Sequence, residues 1–503
     1  MRRNRWLIGL VLAPVLALMA GCTSTGAPTP PSHQLSIGAT AVPDSMDPTT
    51  DANAAIPQAL LYNVYETLVK LDGDGNIRPL LAKEWTISND GLTYTFDLQP
   101  DATFSGGDPL DADAVVKSFQ RIQQNSSVTA VNKSEMSVVS SVTAVNSTTV
   151  KVVLSRPSNM WLYDMTGSAG IVIDPAHMDD LANTPAGSGP YVLKDWVKGA
   201  SVVLQKAPNY WGTPARFDAV TFRYFSDPNA MNTAMLSGDL DIISNLAAPQ
   251  ALSQFSDTSK YQIVEGTTNG EIVLGFNNAR APFTDVRVRQ AICYAIDRKS
   301  LMDSVWAGQG TLIGSMVPPT DPWYEDLSQT YPYDPAKAKE LLAEAGVSSG
   351  LTINLQVPTL PYATGAAQFI ASELGDVGIT VRVSELQFPD VWINQVMNQG
   401  DYDMTIVAHV EGRDIVKWAD PTYYWHYNNT QFQNLIAQAD ATLDQTQYVA
   451  VMKQAAQILA TDAAGDFLWL LPSIVIATPD ISGIPANAVT ESFDLTTIAS
   501  KSG

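Results

Sequence analysis

Apolar and polar positions are most regular in the second half of the chain. In DPAKAKELLAEAG, the residues Ala338, Leu341, Leu342 and Ala345 recur at helical spacing, with Asp334 set as N-cap, Pro335 at the first helical position and Gly346 as the stop. LTINLQV then alternates as a strand does, and the pattern continues as TGAAQFIASELGDVG (helix), ITVRVSEL (strand), PDVWINQVMNQG (helix, with Trp392 toward the core) and YDMTIVA (strand). Three strands joined by two helices predict right-handed crossovers and a parallel sheet. The first half reads differently. Leu92, Tyr94, Phe96 and Leu98 alternate with polar residues after an NDG turn, which predicts a hairpin. Asp111 is placed to cap a helix over LDADAVVKSFQRI, with Leu110 and Val115 as a hydrophobic staple, and TTVKVVL reads as another strand. Val288, Ala291, Ile292 and Ala295 form a helical stripe, beside which Cys293 is expected to be a buried structural thiol.

The last of the regular strands ends near Ala408, and open parallel α/β sheets collect ligands beyond the carboxyl ends of their strands. The chain continues from there as HVEGRDIVKWADPTYYWHY. Its aromatics Trp418, Tyr423, Tyr424 and Trp425 show no helical stripe and are interleaved with Glu411, Arg413, Asp414, Lys417 and Asp420. A packed core avoids that mixture unless every charge is paired. The expectation is therefore a loop that lines a ligand cup.

At 503 residues the chain exceeds one hydrophobic core, so two or three domains are expected. Its net charge of −22 is set against nucleic acid and anionic lipid as partners. The N-terminus MRRNRWLIGLVLAPVLALMAGC has a basic start, an apolar run and small residues before Cys22, the layout of a secretory signal over residues 1–21. LMAGC resembles the lipobox of bacterial lipoproteins, which implies lipidation at Cys22, an extracytoplasmic location at the cell membrane, and a Thr/Ser/Pro/Gly tether over 22–32. With Cys22 on the tether, Cys293 has no partner and a disulfide framework is excluded. No serine elbow, phosphate loop or redox cysteine pair is present, and the four histidines do not cluster, so neither catalysis nor a metal site is expected.

Three long stretches carry a resemblance. They are SMDPTTDANAAIPQALLYNVYETLVKLDGDGNIRPLLAKEWTISNDGLTYTFDLQPDATFSGGDPLDADAVVKSFQRI, GSGPYVLKDWVKGASVVLQKAPNYWG and FNNARAPFTDVRVRQAICYAIDRKSL. Together they are similar to the extracellular solute-binding proteins of family 5, the peptide and nickel group serving ABC importers. The resemblance implies an α/β fold of two lobes around a cleft, with an enlarged first lobe and a hinge crossed twice. Mapped on this chain, lobe 1 takes residues 33–268 plus 477–503, with an inserted subdomain at about 53–180, and lobe 2 takes 269–476. The crossings fall near VEGTTNG and PSIVIATPD. The resemblance implies a monomer without catalytic function or cofactor that captures a small molecule or short peptide and delivers it to an ABC permease.

In peptide-binding relatives an acidic residue holds the ligand ammonium and basic groups hold its carboxylate. Arg413 is then the candidate carboxylate fork, while Lys417 stands where the family typically has the ammonium-binding Asp. That departure turns attention to Asp414 and Glu411 as substitutes, and it leaves an anionic, blocked, sugar-like or metal-chelate ligand as the alternative to a peptide. An extracellular hydrolase is the rival class and a purely adhesive surface lipoprotein a third. His409, Asp420, Tyr423, Tyr424, Trp418 and Trp425 complete the expected wall on this lobe, with Trp161 and Tyr191 contributing from the other.

Overall fold

The computed structural model describes residues 33–347 and 350–501. The leader, the tether and the proposed lipid attachment at Cys22 lie outside the described residues. The backbone of the molecule is a ten-stranded sheet running through two lobes. In order across it come Tyr191–Val197, Ser201–Lys206, Ala219–Tyr224, Gln34–Ala39, Ile242–Ile243, Gly465–Ala477, Gln262–Phe276, Met404–His409, Leu351–Pro358 and Ile379–Leu386. Leu351–Pro358 pairs in parallel with both Ile379–Leu386 and Met404–His409, so the predicted crossovers form the outer part of one lobe. Gln34–Ala39 is likewise parallel to both of its neighbours in the other lobe.

The chain passes between the lobes along the two central antiparallel strands, Gln262–Phe276 and Gly465–Ala477. Their register breaks between Thr267 and Glu271, where Thr267 faces Pro472. Proline donates no ladder hydrogen bond, and Gly266 and Gly270 bring no side chain, so the ladder is weakest at this crossing. Beyond it, Ile272, Leu274 and Phe276 point to one sheet face, into a core shared with Cys293, Leu341, Leu342 and Ile370. Val273, between them, points to the opposite face and a second core. This alternation is the two-residue period of a strand buried on both sides.

A four-stranded antiparallel sheet enlarges the first lobe, in the order Ala82–Ile87, Thr93–Leu98, Thr149–Leu154, Val139–Asn146. Its hairpin turns at Gly91, whose φ of +70° suits glycine. The helix Ala112–Gln124 covers it, and Asp111 accepts a hydrogen bond from the Ala114 amide at 3.0 Å while Leu110 and Val115 are both buried. Asp334 caps Pro335–Glu344 in the same way, by accepting from the Lys337 amide at 2.9 Å. The segment PDVWINQVMNQG departs from an ordinary α-helix: only Asp390–Trp392 is α, and Ile393–Asn398 widens into a π-helix. No helix among the described residues is long and apolar enough to cross a membrane.

Candidate ligand-binding site

Immediately after Met404–His409 the backbone turns at Arg413, held at φ +61°, and enters a short 3-10 helix over Asp414–Ala419. Trp418 is 1% exposed and lies parallel to Trp425, with ring centroids 3.7 Å apart and 4° between planes. Tyr427 and Phe467 meet Trp418 edge-on, and its indole nitrogen points at the Met316 sulfur, 2.9 Å away. Tyr424, buried as well, packs on Trp392 and Tyr402. These rings belong to the second core of their lobe, so the expectation that Trp418, Tyr424 and Trp425 wall a cup is corrected. The physical reason sits on the two central strands. Gly275 and Gly465 are partners in register, and a Cβ on them would fall 2.8 Å from Trp425 and 3.1 Å from Trp418. The tryptophan pair fills a bare patch that a facing pair of glycines leaves on the sheet.

Other expected wall residues also lie elsewhere. Trp161 is buried in the core of the inserted subdomain against Tyr94, at 4.7 Å between centroids, and Tyr191 is buried in the core of the first lobe. Asp420 is exposed and accepts from the Thr422 amide and hydroxyl at 2.8 and 2.7 Å, which closes a local turn. Tyr423 is half-buried, its ring 4.9 Å from that of Trp425. His409 bridges Asp414 (Nδ1 to Oδ2, 3.2 Å) and Tyr424 (Nε2 to Oη, 2.9 Å).

The charges of the loop are brought together. Lys417 donates to Glu411 and lies 3.1 Å from Asp414 Oδ1. Burial works against its ammonium, yet Asp414 and Glu411 more than offset this and hold its pKa above the ordinary lysine value. Two carboxylates thus occupy the lysine that the sequence presents as a free cation.

Arg413 is different. Its guanidinium carbon lies 3.9 Å above the Tyr163 ring and 5.1 Å from that of Trp323, a cation–π arrangement. Among the described residues it makes no hydrogen bond or ion pair, and its Nε is buried without a partner. Tyr163 belongs to the first lobe, on the helix Asn159–Asp164, and its hydroxyl touches the second lobe at Gly412, where a Cβ would fall 1.9 Å away. The same helix is capped from across the cleft. Asp440, at the end of Thr430–Asp440, accepts from the Ser158 hydroxyl at 2.8 Å, from the Met160 amide at 3.1 Å and from Arg156. The lobes are therefore closed on each other.

Sequence reasoning missed the acidic side chains near this loop, of which Asp164 and Asp321 feel Arg413. Burial, joined by the charges of Asp164, Glu491 and Glu411, pushes Glu135 up to about 9. Burial pushes Asp164 up to about 8, against the pull of Arg413. Asp321 rises to about 7 through burial, again against Arg413, and Glu271 rises well above the usual range through burial and the neighbouring Asp414. Glu491, from the C-terminal return, rises through burial although Ser168 donates to it at 3.0 Å. By surface area Glu135 and Asp164 are half-buried and Glu491 is exposed, so the shift of Glu491 reflects the protein packed around it more than loss of contact with water. They stand singly in unlike segments, so no motif flags them. The nearest signal is NMWLYDM, where the functional candidates are Tyr163 and Asp164 and not the larger Trp161.

Two α/β lobes closed around a cleft, with a sheet and two long strands running through both, define the class of periplasmic binding proteins. Residues 76–434 match the family model described as bacterial extracellular solute-binding proteins, family 5 Middle. The chain belongs to that family. It is a non-catalytic, extracytoplasmic solute-binding protein of ABC import. It is 28% identical over 503 residues to the probable D,D-dipeptide-binding periplasmic protein DdpA of Escherichia coli K12, covering 93% of this chain and 95% of that one. Among solved structures it is similar to the ABC transporter substrate-binding protein CtaP of Listeria monocytogenes, with a TM-score of 0.82 at 23% identity over 93% of this chain and 99% of that one. It is also similar to NikA of Brucella suis in complex with Fe(III)-EDTA, with a TM-score of 0.80 at 22% identity over 93% and 99%.

Proposed function

We propose that this protein captures a short peptide or peptide-like molecule between its lobes and hands it to an ABC permease, held at the membrane by a lipid on Cys22. The observation that carries the ligand reading is Arg413: a buried guanidinium, sandwiched by rings from both lobes and without an anionic partner among the described residues. A desolvated, unpaired cation is costly to keep, and a ligand carboxylate would satisfy it bidentately. Carboxylates on both sides of the cleft complement it for an ammonium. A peptide-like ligand carries both groups. The D,D-dipeptide for which the Escherichia coli relative is named supports the same class. Lys417 does not oppose a free amine on this reading, because Glu411 and Asp414 already neutralise it.

The test is calorimetry of refolded, ligand-free protein with Ala-Ala-Ala and with its C-terminal amide. The free acid should bind and the amide should bind at least about tenfold more weakly, the loss expected when a charged hydrogen bond is removed. Equal affinities would remove Arg413 from the carboxylate role.

A further inference from the structure

We infer that the ligand is cationic beyond its terminal ammonium: a peptide with a basic side chain, whose amines are received by carboxylates of both lobes. The inference rests on the cleft around Arg413 being the binding site proposed above, and it adds the charge of what binds there.

Glu271 is the first observation. It lies on the central strand just past the hinge, facing His409 in register, is 1% exposed, and its Oε2 has no partner among the described residues. The charged groups acting on it are Asp414 and Asp321, which are both acidic. A buried carboxylate is normally paired or hydrogen-bonded, and one facing like charges lacks a group that the complex must supply. Asp321 repeats the pattern, with Oδ2 buried and without a partner.

The balance of sign across the cleft is the second. From the first lobe, Glu135, Asp164 and Glu491 face the loop of the second lobe, and the basic groups acting on them are Arg413 on Asp164 and Lys417 on Glu135. Lys417 is already shared by Glu411 and Asp414. Against the carboxylates of Glu135, Asp164, Glu271, Asp321 and Glu491 stands, among the described residues, one guanidinium outside any ion pair, Arg413, which acts on Asp164 and Asp321. A zwitterion with one carboxylate and one ammonium would satisfy Arg413 and one of the five. A ligand with a second amine takes up more of the excess.

Spacing separates an organic cation from a metal ion. Among the described residues, the group of His, Cys, Asp and Glu whose ligand atoms lie within 4.8 Å of one another is Asp108, Asp174 and His177. The cleft carboxylates form no such group, so their charge is distributed, as it must be to meet amines several bonds apart.

Calorimetry of the refolded mature chain with Ala-Lys-Ala, Ala-Ala-Ala, Ala-Glu-Ala and cadaverine tests this. The expected order is Ala-Lys-Ala tightest, by about tenfold or more over Ala-Ala-Ala, with Ala-Glu-Ala weakest. Glu135→Gln, a change on a half-buried helix, should shrink the lysine preference several-fold by weakening Ala-Lys-Ala more than Ala-Ala-Ala, and Glu271→Gln should act in the same direction where it folds. Equal affinity for the three peptides, or preference for Ala-Glu-Ala, overturns the inference and leaves the peptide reading standing. Cadaverine binding with no peptide binding sinks the peptide reading and keeps the cationic one. No binding of any of the four probes overturns both.

Discussion

The guanidinium of Arg413 lies over the ring of Tyr163, its central carbon 3.9 Å from the ring centroid, and the two residues come from opposite lobes. One cation thus reads the closed state and is available to a ligand in it. Arg413→Ala should weaken peptide binding by about 1.5 to 3 kcal/mol, the range for a charged hydrogen bond. Arg413→Lys should not restore it, because an ammonium neither stacks nor forks as guanidinium does. Titration calorimetry on both variants checks this; full affinity in Arg413→Lys would mean that only net charge matters.

Trp418 gives the opposite pattern. Because its ring stacks on Trp425 and fills the space left by Gly465, Trp418→Ala should cost about 3 to 5 kcal/mol of stability. Urea unfolding measures that loss, and ligand affinity of the folded fraction should change little. A small loss of stability with a large loss of binding would return Trp418 to the ligand wall.

Closure has its own contact outside the cleft charges. Asp440→Ala removes the acceptor for the Ser158 hydroxyl, the Met160 amide and Arg156. The closed state should lose about 1 to 2 kcal/mol, discounted because Arg156 is largely exposed, and affinity for any ligand should fall about tenfold. Solution scattering of the ligand-free variant should show a larger radius of gyration than the parent. No change in either quantity would make the contact incidental.

The raised carboxylates fix the sign of a pH effect. In an open, solvated cleft they titrate near the ordinary values of 3.8 and 4.5, whereas closed without a cation Glu135 moves to about 9, Asp164 to about 8 and Asp321 to about 7. Below about pH 4 they are protonated in both states and oppose nothing. As pH rises toward about 9 the open form ionises first, and closure without a compensating cation is progressively penalised. Affinity for Ala-Ala-Ala should therefore fall with pH across this window and its binding should take up protons. Ala-Lys-Ala should show less of both. Calorimetry in buffers of different ionisation enthalpy reads the proton count directly, and proton release with the neutral-side-chain peptide would contradict the assignment.

The anchor is tested separately. Cys22→Ala should move the protein from the membrane fraction to the soluble extracytoplasmic fraction with unchanged thermal unfolding. Continued sedimentation with membranes would assign anchoring to another feature.

The regular α/β half was legible because each helix and strand carries its own periodicity and caps: Asp334, Gly346 and the alternation in LTINLQV act locally. The aromatic loop was misread for a reason equally physical. Most of its charges do pair, Lys417 with Glu411 and Asp414, and Asp414 with His409, with Arg413 left out, but pairing is a property of three dimensions. The partner of the tryptophans was a space, made by Gly275 and Gly465 almost two hundred positions apart. The acidic side chains of the cleft were illegible for the same reason, since Glu135 comes near Asp164 and Glu491, and Glu271 near Asp321, only when the chain has folded. In a chain holding 51 acidic residues, none of them stands out alone.

Native mass spectrometry of protein purified without refolding tests the central claim most directly, because a closed binding protein retains its ligand. The bound species should leave the complex on activation as a short peptide with a basic residue, identified by tandem sequencing, and Arg413→Ala protein should come through purification with less of it. A retained sugar, an anionic peptide or a metal chelate would contradict the claim.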